Sequence, residues 1–119
     1  MFYMAQIVTG FILLLHVYIV LLETVWFSTR GRRVFGLAAD TAEIVRPAMS
    51  NQGCCNGFLV AALGLGLLHP DPGVAQAFTV YGLACIAVAG LWGAATVKKS
   101  ILVIQTLPAL IALGLHHFA

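Results

Sequence analysis

Long uncharged tracts constrain this sequence more than any other feature. Only six Lys or Arg and four Asp or Glu occur in 119 residues, which makes the chain 8% charged and 61% hydrophobic. Soluble domains are about a quarter charged, and a membrane-spanning helix needs roughly 20 apolar residues. Four tracts have about that length: 5–27, 47–68, 74–97 and 100–118. The sequence therefore predicts one integral membrane domain over residues 1–119, an all-α antiparallel four-helix transmembrane bundle.

The positions of the basic residues predict the orientation. All six lie in the loop 28–46 or directly after the third tract, so the positive-inside rule places both loops in the cytoplasm and both termini on the other side. The first tract lacks a basic n-region and is too long for a signal peptide, so we expect it to be retained as a span. We expect a multi-pass protein of the cell membrane. Topology explains its basic residues, so no nucleic-acid partner is predicted.

Local signals refine the helix boundaries. Asp40-Thr41-Ala42-Glu43 resembles a capping box, which predicts a short helix beginning near Thr41. Pro47 suits the first turn of the second span, because its missing N–H is not needed there. Pro108 lies inside the fourth span, and we expect it to kink the helix and free the carbonyl of Ile104.

Polar side chains inside the spans predict a functional site. The stretch 51–58 places three amides in a predicted span, where unpartnered amides are costly. Counted at 1.5 Å per residue from the charged loops, Glu23, Asn51, Gln52 and Gln105 lie roughly 6–8 Å below the cytoplasmic interface. We therefore expect a polar pocket near the cytoplasmic leaflet. Its predicted ligand-binding residues are His16, Glu23, Trp26, Asn51, Gln52, Asn56 and Gln105.

Glu23 and His16 are the ionisable candidates. A carboxyl group within a span is rare and usually functional, although Glu23 also suits a role as a hydrogen-bonded link between helices. His16 suits a proton relay or a buried packing histidine. One His and one Glu are too few ligands for a metal site, and no hydrolase, metalloprotease or nucleotide-binding motif occurs. Enzymatic activity stays open, with Glu23 and His16 as candidate catalytic residues, and the sequence indicates no cofactor.

Small residues predict close helix packing. Gly53 and Gly57 form a GxxxG pattern, and Gly90 and Gly93 lie together on the third span. Such small faces let helix backbones approach closely in lipid, so we expect contacts between copies of the chain through these glycines. The three cysteines all lie in predicted spans without a CxxC motif, which is typical of small packing residues.

An ordered set of motifs extends over nearly the whole chain. It comprises His16, Leu22-Glu23, Trp26, Gly31-Arg32-Arg33-Val34-Phe35-Gly36-Leu37, Asn51-Gln52-Gly53, Asn56-Gly57-Phe58-Leu59, Gly90, Gly93-Ala94-Ala95-Thr96-Val97-Lys98, Gln105 and Pro108-Ala109. The set resembles the domain-of-unknown-function 1304 family of small membrane proteins. That resemblance implies a four-span integral membrane protein and no particular activity. Cys54-Cys55 stand where the family usually has an apolar residue and Tyr, so a phenol is missing from the predicted site.

A weaker resemblance is to the membrane-associated eicosanoid and glutathione metabolism proteins. It rests on four spans, short loops, and Arg46 ahead of Asn51 and Phe58-Leu59. Those proteins are trimers that bind glutathione between subunits. Gly53 stands near the place of their acidic residue on the second helix, so their activity is not transferred.

The leading functional hypothesis is binding of a small molecule or lipid in the polar pocket. One alternative is a membrane-embedded transferase or isomerase that acts on an amphiphile with Glu23 as acid or base. Others are an oligomeric proton-coupled exporter and a purely structural membrane protein.

Overall fold

The computed structural model describes all 119 residues and contains helices but no β-strand, which confirms the predicted all-α class. The five α-helices are α1 (Phe2–Glu23), α2 (Arg32–Val34), α3 (Ala39–Leu68), α4 (Pro72–Thr96) and α5 (Leu107–Phe118). Two five-residue π-helical segments, Phe27–Gly31 and Leu102–Thr106, precede α2 and α5.

Three of the helices, α1, α3 and α4, are long and apolar enough to cross a membrane. The fourth predicted span, 100–118, corresponds to a shorter apolar helix, Leu102–Phe118, which consists of the second π-helical segment and α5. The π-helical segment Leu102–Thr106 directly precedes α5, and Pro108 stands in the first turn of that helix; the kink expected at this proline stays a prediction.

Helix α3 differs from the prediction for residues 41–47. A separate short helix near Thr41 was expected, with Pro47 in the first turn of the next helix, and this is wrong, because one helix of 30 residues runs through Pro47. Glu43 does not complete a capping box but pairs with Arg46 at 3.0 Å. At 1.5 Å per residue, α3 is about 45 Å long, against about 30 Å for the hydrocarbon core of a bilayer. Pro47 removes the helical bond to the Glu43 carbonyl, and its position on the exposed part of α3 lets water compensate that carbonyl.

Helix α4 begins with a side-chain cap. The Asp71 carboxylate accepts hydrogen bonds from the backbone N–H groups of Gly73 and Val74, at 2.8 and 3.2 Å. Pro72 occupies the first helical position, where no N–H donor is needed. Cap and proline together fix the start of the helix.

The chain divides into two compact units, and the boundaries fall inside α1 and α3. The terminal unit comprises Met1–Leu13 and Ala61–Ala119, and the central unit comprises Leu14–Val60.

Glycines bring the helices of the terminal unit together. A Cβ atom at Gly66 would lie 2.9 Å from the Thr79 backbone nitrogen, and one at Gly90 would lie 2.8 Å from that of Thr106. Both distances are shorter than any real Cβ contact, so only glycine fits. The buried Thr106 hydroxyl donates to the Ala87 carbonyl of α4 at 3.0 Å.

Two glycines shape the central unit between α1 and α3. A Cβ atom at Gly31 would overlap the Leu22 carbonyl, so the π-helical segment can fold against α1 only with glycine there. Gly36 has a φ of 69°, and the backbone N–H groups of Gly36 and Leu37 bond to the carbonyls of Arg33 and Arg32. This Schellman motif ends α2.

The glycines expected at an interface between copies lie mostly against their own chain. Gly53 contacts Thr24, Gly90 contacts Thr106, and Gly93 contacts Ile101, whereas no atom lies within 4 Å of a Cβ built at Gly57. Three of the four glycines therefore pack against residues of their own chain. Association of copies stays a prediction, for which Gly57 is the open small face.

Replacing Gly90 by alanine should destabilise the protein, because the added methyl group meets the Thr106 backbone. We expect a loss of about 1–3 kcal/mol, the usual cost of overpacking. Reversible unfolding of the detergent-solubilised protein measures it. Gly114→Ala is the matched control, since nothing lies within 4 Å of its Cβ position, and it should be neutral or stabilising by up to about 1 kcal/mol. Equal stability of both variants would contradict the close packing at Gly90.

Candidate functional site

A buried hydrogen bond joins α1 and α3 in the central unit. Glu23, the last residue of α1, is 2% exposed, and Asn56 of α3 is 8% exposed. The Asn56 amide Nδ2 donates to Oε1 of Glu23 at 2.7 Å. Burial of a carboxyl group is costly unless it is hydrogen-bonded, so this contact stabilises the pairing of the two helices.

Two further residues of α3 lie beside this bond. Gln52 is one helical turn before Asn56, on the same face, and near the Glu23 carboxyl group, but its side chain is exposed although the sequence predicts it inside the site. Gly53 lets the backbones approach, because a Cβ atom there would lie 3.2 Å from Cβ of Glu23 and 2.5 Å from Cγ2 of Thr24. We call Glu23, Gln52 and Asn56 the polar cluster.

An apolar groove lies beside the polar cluster in the same unit. Its volume is about 170 Å³. Gly57 follows Asn56 directly and leaves the space open, while Val20 lies less than one turn before Glu23. The lining residues are Val17, Val20, Leu21, Gly57 and Val60. In the central unit the polar cluster and the apolar groove are therefore about one helical turn, about 5 Å, apart.

The remaining predicted residues of the central unit lie apart from the cluster. His16 is completely buried, but it lies seven residues before Glu23, about 10 Å along the helix axis. Asn51 is exposed. Trp26 is 41% exposed, and its ring meets the edge of the Tyr18 ring at 6.4 Å between centroids. Arg30 donates a 2.6 Å hydrogen bond to the hydroxyl of the same Tyr18. Trp26 therefore belongs to a surface cluster with Tyr18 and Arg30.

Gln105 belongs to the terminal unit. It lies in the π-helical segment before α5 and is half-buried. A Cβ atom at Gly90 would lie 3.0 Å from Cβ of Gln105, so Gln105 packs against the small face of α4.

The terminal unit contains a polar pair that the sequence does not single out. Thr9 is completely buried, and its Oγ1 lies 2.7 Å from Nε2 of His116. The two residues are 107 positions apart. A threonine inside an apolar span was the available signal, but nothing in the sequence selects its partner.

Comparison with known proteins gives a family and no activity. The model of a family described as "Protein of unknown function (DUF1304)" matches residues 10–117. The match includes every residue of the polar cluster. No curated protein and no solved structure matches the chain.

Replacing Asn56 by alanine should destabilise the protein, because the Glu23 carboxyl group loses a buried donor. We expect a loss of about 1–3 kcal/mol, the penalty for leaving a buried polar group unsatisfied. Unfolding in detergent measures it. Asn51→Ala on the exposed side of the same helix is the control and should stay within about 0.5 kcal/mol of the wild type. If both substitutions have the same effect, the Asn56–Glu23 bond does not stabilise the fold.

Proposed function

The chain belongs to the DUF1304 family of proteins of unknown function, and we propose that it binds a small amphiphilic molecule or lipid through its central unit. The polar cluster would bind the head of the ligand, and the apolar groove would take its tail. The observation that carries this proposal is the buried Glu23 carboxyl group, held by Asn56 beside the groove.

The hydrogen-bonding capacity of the cluster supports a ligand. A carboxyl group has two oxygens with about four acceptor positions, and each amide has two donor hydrogens and an acceptor oxygen. The bond to Asn56 uses only part of that capacity. A polar head group can therefore bond to Glu23 or exchange with an amide. Binding sites for small molecules typically combine apolar walls with a few such polar groups.

We further propose four membrane spans with both termini outside the cytoplasm. The distribution of basic residues supports this topology, because three arginines lie between α1 and α3, a fourth lies in the first turns of α3, two lysines follow α4, and none lies between α3 and α4. The polar cluster would then open toward the cytoplasmic leaflet. Catalysis on a bound amphiphile with Glu23 as acid or base is the alternative hypothesis, and a turnover that requires Glu23 would favour it.

Glu23→Gln should abolish ligand binding without unfolding the protein. The amide is close in shape to the carboxyl group but cannot supply a charge or the same acceptors. Native mass spectrometry of the protein released from lipid bilayers should detect copurified molecules on the wild type and at least tenfold less on the variant, a difference of about 1.4 kcal/mol. Glu43→Gln, at the exposed pair with Arg46, is the control. Unchanged ligand retention by Glu23→Leu would refute the proposal.

Accessibility to a membrane-impermeant thiol reagent tests the topology. In a background with Cys54, Cys55 and Cys85 replaced by alanine, Ser28→Cys should react only after the membrane is opened. Ala119→Cys should react in intact cells, because the positive-inside rule places it outside. Protection of Ala119→Cys in intact cells would show that α5 does not cross the membrane or that the orientation is reversed.

A further inference from the structure

We propose that the cavity between α4 and α5 in the terminal unit is a second binding site, which takes an uncharged head group bearing hydroxyls. The cavity has a volume of about 250 Å³. Its lining residues are Gln76, Val80, Leu113, His116 and His117. The site uses no residue of the central unit, so it is independent of the function proposed above.

The hydrogen bonds of Thr9 fix the tautomer of His116. A hydroxyl group has one hydrogen to donate, and the Thr9 hydroxyl donates it to the Ala5 carbonyl at 2.8 Å. Toward Nε2 of His116, 2.7 Å away, the hydroxyl oxygen can then only accept. Nε2 therefore carries a hydrogen, and in the neutral ring Nδ1 carries a lone pair.

The bond to Thr9 uses Nε2 of His116, so the lone pair on Nδ1 is the remaining hydrogen-bonding group of the ring. The ring lies on the wall of the cavity. A ligand group that donates a hydrogen bond would satisfy Nδ1 and leave the bond to Thr9 intact.

The charges near the cavity exclude an ionic ligand. None of the five lining residues is Asp, Glu, Lys or Arg. The acidic residue at this end of α4 is Asp71, which is exposed and caps the helix with its carboxylate. A carboxylate or phosphate would therefore find no Lys or Arg side chain in the wall, and a cationic group would find no Asp or Glu side chain there. Burial of an unpaired charge is strongly unfavourable, so a neutral ligand fits best.

Hydroxyl groups match the polar atoms of the wall. Each hydroxyl both donates and accepts, so it can donate to Nδ1 of His116 while it accepts from the Gln76 amide. The volume lies just below the roughly 300 Å³ at which pockets for whole drug-sized ligands begin, so the cavity suits a head group. Val80 and Leu113 supply an apolar wall on which a chain can continue. A glycerol-type lipid head and a free polyol share this chemistry.

The test uses the full chain in lipid nanodiscs with nitrogen-15-labelled histidine. Monooleoylglycerol is the probe, methyl oleate is the same chain without hydroxyls, and free glycerol distinguishes a soluble polyol from a lipid head. We expect His116 with an unprotonated Nδ1 whose resonance shifts on addition of monooleoylglycerol and not of methyl oleate. A shift with glycerol alone at comparable concentration would assign the site to free polyols. Equal shifts with methyl oleate, or a protonated Nδ1 with a bare Nε2, would overturn the proposal.

The substitution His116→Gln distinguishes a role of His116 in ligand binding from a role in folding. The Gln amide can replace Nε2–H as donor to Thr9, but it lacks an acceptor at the position of Nδ1. Monooleoylglycerol should therefore bind about 3- to 10-fold more weakly, the worth of one hydrogen bond, at unchanged thermal stability. His69→Asn, outside the cavity at the start of the turn before α4, is the control and should bind like the wild type. Unchanged affinity of His116→Gln would refute the role of His116.

Discussion

A carboxyl group buried among apolar side chains must find hydrogen-bond donors, and this requirement organises the central unit. Glu23 is held by Asn56 at 2.7 Å, and the bond can form only because Gly53 lets α3 lie against the end of α1. The same approach leaves a groove further along the two helices, where Gly57 has no side chain to fill it. Polar cluster and groove are therefore consequences of one helix contact.

The terminal unit satisfies its polar groups in a related way, with hydroxyls in place of a carboxyl group. Thr106 donates to the Ala87 carbonyl across the contact at Gly90, and Thr9 links the Ala5 carbonyl to His116. Neither contact involves a formal charge. Neutral hydrogen bonds suit an apolar surrounding, because they avoid the desolvation penalty that a buried ion pair carries. The cavity beside His116 is likewise lined by no Asp, Glu, Lys or Arg side chain, and we expect this to restrict its ligand to neutral head groups.

The first loop brings a basic residue against aromatic rings near the end of α1. Arg30 donates to the Tyr18 hydroxyl and lies 5.5 Å from the centre of the Tyr18 ring, which in turn meets Trp26. Such amphipathic groups are typical of the interface between lipid and water. Their contact with the last turns of α1 gives that helix a fixed end close to Glu23.

The sequence by itself determined the helical class, the membrane-compatible helices and the family, and it singled out Glu23 and Asn56 as polar residues of predicted spans. These follow from composition and from the cost of polar groups in apolar segments, which are local properties. Only the tertiary structure decided that Asn56 bonds to Glu23 while Asn51 is exposed, that Thr9 meets His116, and that α3 continues through Pro47. These outcomes depend on which helix faces meet and how closely glycines let them approach, and no local pattern specifies the contact between residues that are distant in the chain.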